Sequence, residues 1–328
     1  MKKLFIGILA LGFLSSCNSD NVSNQSEEEA APSTVSNLVK RGCPSEEIRQ
    51  AALNSNPELR QRFAKIEANT ERFSEDLKLG KVLADGTVEI PVIVNVLYRT
   101  AAENISDAQI QSQINILNAD YSATNSDINN IPAEFTSVAA GNTGVKFRLV
   151  TVNRKSTTVR SWRTNDAMKK TSSKGIDATN PTNYLNIWVV GDMGGILGYA
   201  TFPESAGLWN DGVVIAAKYF GNTSNAPYNL GRTATHEVGH YLNLRHIWGD
   251  ANCGNDLVAD TPTQTGANYG KPTYPLYNTC TGVQRSVMFM NYMDYVDDAA
   301  MFMFSAGQKT RMQSVVASSG ARSGLRIN

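Results

Sequence analysis

The chain has 328 residues, 41% of them hydrophobic and 18% charged, which is enough for one large core or two modest ones and excludes a chain disordered throughout. Lys+Arg 30 against Asp+Glu 30 leaves no net charge, so the bulk electrostatics that draw proteins to nucleic acid or to anionic membranes are absent. No nucleic-acid partner is expected, and any partner must be recognised locally.

Met1-Lys2-Lys3 precedes an apolar run from Leu4 to Leu14, a charged start followed by a hydrophobic stretch too short to span a bilayer. This reads as an export signal over residues 1–16, outside the fold. Leu14-Ser15-Ser16-Cys17 resembles the lipobox of bacterial lipoproteins, in which the cysteine becomes the acylated N-terminus; ordinary signal cleavage nearby is the alternative. The expected location is the outer membrane or cell surface through lipidated Cys17, or secretion. Residues 17–36 are Ser, Asn, Glu, Ala and Pro with few large apolar groups, and read as a disordered tether.

Residues 37–80 form the next unit, in which Ile48, Ala52, Leu59, Phe63, Ile66 and Phe73 recur at helical spacing. Asn56-Pro57 interrupts the pattern, so two helices are predicted. Asp85-Gly86 is a turn signal that separates them from a second unit, residues 85–328. There, strands and helices mix, an α/β (α+β) pattern. Val88 to Tyr98 reads as a strand, with Pro91 limiting its pairing on one side. Ser106 to Tyr121 reads as a helix opened by a capping-box pair, Ser106 and Gln109. Strands at Val145 to Val152, Tyr184 to Val190 and Gly212 to Ala217 follow, then a helix from Leu230 to Asn243 and a last one opened by Ser305 and Gln308. Cys253 and Cys280 flank the long loop between these two helices and are the expected disulfide, which isolates Cys43.

All three histidines lie in His236-Glu237-Val238-Gly239-His240-Tyr241-Leu242-Asn243-Leu244-Arg245-His246. His236 and His240 are four apart, so on a helix both imidazoles leave one face and can reach a single ion. Glu237 can reach a water on that ion without ligating it. Three neutral imidazoles leave a fourth tetrahedral position open and lower the pKa of a bound water to about 7. His246 is six residues past His240, about 600° on a continuing helix, so the helix must end between them. Asn243 stands where the related pattern H-E-x-x-H-x-x-G-x-x-H has glycine, and asparagine is the next most tolerant residue of a left-handed backbone.

These histidines, with Asn291-Tyr292-Met293-Asp294-Tyr295 and Asp297-Asp298, resemble the metzincin metallopeptidases, and more closely the pappalysin family with its ulilysin-like and cytophagalysin-like bacterial members. The resemblance implies a metzincin-like catalytic domain with a mixed twisted sheet, a long active-site helix and a C-terminal helical subdomain, preceded by a small helical pro-segment. It implies a zinc endopeptidase acting on protein or peptide substrates, with Met293 in a methionine turn under the metal and Tyr295 supporting the oxyanion. It further implies a zymogen in which Cys43 holds the open zinc position until residues up to about 80 are removed, the cut falling between Leu79 and Asp85. Asp256, Asp260 and Thr261 form a calcium candidate, with a hydrogen-bonded turn as the competing reading. Asp297 and Asp298 either favour a basic substrate side chain or are solvated carboxylates. The substrate is expected antiparallel to an edge strand at Ile196 to Pro203 or Gly212 to Ala217. The rival function is a catalytically inactive zinc-binding surface lipoprotein, an adhesin or metal scavenger, against which the intact Glu237 argues.

Overall fold

The computed structural model describes residues 40–80, 86–280, 282 and 285–326. The export signal, Cys17, the tether and most of the expected activation cut lie outside the described residues.

The N-terminal segment consists of helices α1 (Ser45–Ser55) and α2 (Pro57–Lys78). They are separate because Asn56 ends one and caps the other, accepting from Glu58 N at 2.9 Å, while Pro57 at the first helical position needs no backbone donor. Of the apolar stripe read from the spacing, Leu59, Ile66 and Phe73 are buried and Ile48, Ala52 and Phe63 partly so, and Leu53 is buried beside them.

Among the described residues, the body of the chain is built on five strands: β1 (Val88–Tyr98), β2 (Val145–Ser156), β3 (Leu185–Val190), β4 (Gly198–Ala200) and β5 (Val213–Ala216), in the order β2-β1-β3-β5-β4. The three pairings β2-β1, β1-β3 and β3-β5 are parallel, and β4 closes the sheet antiparallel to β5. β1 and β3 read as near-continuous Val/Ile runs because parallel strands inside a sheet are covered on both faces. Pairing of β1 with β3 begins at Val92, one residue after Pro91, and a bulge at Val92/Ile93 adjusts the β2 side, which is how the proline is accommodated. Because β5 pairs with both β3 and β4, the Gly212 to Ala217 region cannot receive a substrate chain; the free edge is β4, within the Ile196 to Pro203 region.

Helices α3 (Asp107–Ser122) and α5 (Arg232–Tyr241) lie side by side against the sheet, α3 over β2 and α5 over β4 and β5; a short helix α4 (Ala133–Thr136) and the closing helix α6 (Ala306–Val316) complete the set. The other face is covered by residues 160–184, where Trp188 Nε1 donates to Ile176 O at 2.8 Å and Tyr199 hydroxyl to Asp166 at 2.9 Å. The capping box at Ser305 and Gln308 forms in full. At Ser106 only half forms, because the Gln109 amide is taken by Ala217 O and Phe220 O instead of the helix start. α2 packs on α6 and on the turn Pro203–Ser205, so the N-terminal segment lies along the mouth of the cleft beside β4.

Candidate active site

α5 is short, ten residues, and buried along its whole length. Gly231 begins it with φ 73°, and Arg232 ties its first turn to Asp120 at 3.0 Å and Asp127 at 3.1 Å. Its other end is a left-handed turn: Asn243 has φ 76°, and Leu244 N closes onto Gly239 O at 2.9 Å. The chain reverses there and returns His246 to the face that carries His236 and His240.

Each imidazole is oriented through its Nδ1: His236 to Tyr292 O at 2.7 Å, His240 to Leu244 O at 2.8 Å, His246 to Asp250 Oδ1 at 2.5 Å. Such anchoring points the three Nε2 atoms inward and fixes their lone pairs there. Their donor atoms and Cys43 Sγ all lie within 4.8 Å of one another. His246 is also stacked flat on Trp248, ring centroids 4.4 Å apart. Burial, and then the neighbouring imidazoles, push His236 and His240 well below the ordinary imidazole range, so both are neutral and able to donate a lone pair.

Glu237 reaches the same space. Its Oε2 accepts from the Cys43 thiol and from Ser45 Oγ, each at 3.1 Å, and burial raises its carboxyl to about 7 against the pull of those hydrogen bonds. Tyr295 hydroxyl stands 3.1 Å from His246 Nε2 and donates to Cys43 O at 2.8 Å. Met293 lies beneath α5, where a Cβ on Gly239 would overlap its Sδ, so a glycine inside the helix is the condition for this approach. Gly198 has the same role at the edge strand, since a Cβ there would come within 3.1 Å of Glu237 Cγ. Met288, Met290, Met301 and Met303 are buried in the core.

Asp298 is fully buried. Its Oδ1 is ion-paired with Arg41 of the N-terminal segment, and its Oδ2 accepts from Leu230 N at 2.8 Å and Arg232 N at 3.3 Å, which removes the solvated reading for this residue. Cys253 and Cys280 form the expected disulfide. The calcium candidates face different partners: Asp256 accepts from Thr261 Oγ1 at 2.8 Å and Val258 N at 3.1 Å, while Asp260 accepts from Ser305 Oγ at 2.6 Å and Gly307 N at 2.8 Å at the start of α6. Sequence reading passed over Ser45, Trp248 and the Asp250 contact. Asp250 alone left a signal, a carboxylate four residues after a ligand-spaced histidine.

The chain is similar to known proteins in sequence and in fold. The family described as peptidase M43, pregnancy-associated plasma protein-A, matches residues 170–317. Extracellular metalloprotease 1 of Coccidioides posadasii is 33% identical over 240 residues, 70% of this chain and 76% of the relative. The structure of mature mirolysin of Tannerella forsythia with a cleaved peptide is 44% identical, with TM-score 0.72 over 74% of this chain and 97% of that one. A promirolysin mutant of the same organism is 39% identical, with TM-score 0.79 over 87% and 97%. The fold is that of a metallopeptidase. The chain belongs to the pappalysin family, whose members are metzincin enzymes that use zinc.

The residues present fit that metal. His236 Nε2 is buried with no hydrogen-bond partner, the tautomers are set from outside, and a nitrogen and sulfur donor set of four is a zinc set.

Proposed function

We propose that the chain is a latent zinc endopeptidase in which His236, His240 and His246 hold the metal and Cys43 is the fourth donor of the resting form. A bound zinc would supply Lewis-acid polarisation of the scissile carbonyl and a water acidic enough to yield hydroxide near neutral pH. Glu237 then acts as general base, taking the proton of the attacking water and returning it to the leaving amine. Tyr295 hydroxyl, beside His246, donates to the developing oxyanion, and Met293 supports the floor of the site. The substrate lies antiparallel to β4, whose outer edge Ala200 N now donates to Ser45 Oγ at 2.8 Å.

The observation that carries this reading is the convergence of three oriented imidazoles, Cys43 and Glu237 in one buried space. The N-terminal segment occupies the substrate's positions: Ser45 satisfies the β4 edge, and Arg41, whose guanidinium lies over the Tyr228 ring at 4.9 Å, fills the Asp298 pocket. From that pocket we infer a preference for a basic side chain just after the cleaved bond. A zymogen division is supported by the relatives, since the pro form of mirolysin extends over more of this chain than the mature form. Residues 37–80 are then the pro-segment, residues 85–328 the catalytic domain, and the cut falls between Leu79 and Asp85. Asp256 and Thr261 serve as a hydrogen-bonded turn and Asp260 as the acceptor at the start of α6, rather than the three as a calcium site. Export with a lipid anchor at Cys17 follows from the leader, and several relatives are named extracellular metalloproteases.

The test is peptide cleavage by the full chain after proteolysis between α2 and β1. Cleavage abolished by chelation and restored by zinc supports the enzyme; no cleavage of any peptide supports the rival, an inactive zinc-binding surface protein.

A further inference from the structure

The cleft contains a second buried arginine, and nothing in the chemistry above uses it. Arg49, on α1, donates from Nε to Glu204 Oε1 at 2.7 Å, and its guanidinium lies over the Phe202 ring at 4.4 Å. Within the segment it also pairs with Glu46 at 3.0 Å and lies over the Phe63 ring at 4.6 Å, but its two partners in the body lie just past the end of β4: Phe202 and, in the turn Pro203–Ser205, Glu204. The Glu204 side chain is only 4% exposed, and its Oε2 has no hydrogen-bond partner. A carboxylate buried with one oxygen unpaired is costly unless a cation faces it, and here the cation comes from the segment that the peptidase reading removes. What remains is an aromatic platform beside an acid that still has acceptor capacity, two features suited to a planar cation.

We infer that, in the activated enzyme, Glu204 and Phe202 form a subsite for a guanidinium or ammonium side chain of the substrate, on the amino-terminal side of the cleaved bond. The side follows from the direction of β4. Gly198 abuts Glu237, and the strand runs away from it through Ala200 to Phe202 and Glu204. A chain antiparallel to β4 therefore passes Glu204 before it reaches Glu237. The floor is close to the reacting centre, since the Phe202 ring is 5.1 Å from that of His240. Asp298 meets the segment through Arg41, two residues before Cys43, whereas Glu204 meets it through Arg49, six residues after. The two acids thus bracket the cleaved bond, and sequences basic on both sides of it are the best substrates.

This inference rests on the peptidase reading, and one experiment separates the two. Peptides carry a fixed basic residue after the cleaved bond, and arginine or its neutral isostere citrulline at each of four preceding positions. They are digested by the full chain cut between α2 and β1. Arginine should exceed citrulline in kcat/KM by about tenfold or more at one preceding position, the scale of a hydrogen bond to a charged group. Glu204→Gln should bring that ratio near one while the preference after the bond persists in the same digest, and Glu204→Lys should turn it toward an acidic residue. Equal rates for arginine and citrulline at every preceding position, or a preference that survives Glu204→Gln, overturn the subsite and leave the peptidase standing. If Glu204→Gln does not fold, the wild-type ratio decides alone. No cleavage of any peptide refutes the peptidase reading and the subsite with it.

Discussion

At the histidine centre every orienting contact comes from the body of the chain: Tyr292 O, Leu244 O, Asp250 and the stacked Trp248. At the mouth of the cleft the polar partners arrive from the N-terminal segment: Arg41 on Asp298, Ser45 on Ala200 N, Arg49 on Glu204, and Glu67 on Arg311 at 2.8 Å. On the proposed activation, the first set would survive departure of the segment, and the second is what departure would uncover. The contacts that orient the centre and those that fill the mouth of the cleft are thus divided between two stretches of sequence, so each can be broken without the other.

The division makes its largest prediction at the centre. Glu237→Gln keeps the side-chain shape and removes the base, so initial rates of peptide cleavage should fall by about 10²- to 10⁴-fold with bound zinc unchanged. A Gln variant that keeps zinc and cleaves at the wild-type rate would contradict the assignment. A smaller effect is expected where the centre rests on its support. Gly239→Ala drives a methyl into Met293 Sδ, and the denaturant midpoint should report a loss of about 1–3 kcal/mol, without effect on latency. Least of all is the effect at the turn. Asn243→Ala keeps the Cβ at φ 76° but removes the amide that makes a left-handed backbone tolerable, and should cost about 1–2 kcal/mol, whereas Asn243→Gly should be nearly neutral. Equal losses for the two substitutions would mean that the Asn243 amide, 3.4 Å from Glu67, matters more than its backbone.

The same division marks what was legible beforehand. The centre is local: His236, His240, Glu237 and His246 lie within eleven residues, and helical geometry alone demanded a break near Asn243, where the structure has its left-handed turn. The two helices of the N-terminal segment were equally local, with Asn56-Pro57 as their punctuation. The mouth of the cleft was not. Arg41 and Asp298 are separated by 257 positions and Arg49 and Glu204 by 155, and nothing in either neighbourhood points to the other. Strand order was hidden for the same reason: β4 has three residues, and only pairing reveals that it, and not β5, is the free edge. Gln109 illustrates the general difficulty, because a sound local motif lost its second half to two distant carbonyls.

The measurement that bears most directly on latency at a preformed centre is the activity of the uncut full chain with Cys43→Ala. The account predicts that the uncut wild type is inactive, and that the uncut variant cleaves peptide substrates in a chelator-sensitive reaction without added protease. Unchanged latency of a folded, zinc-loaded Cys43→Ala chain would contradict it.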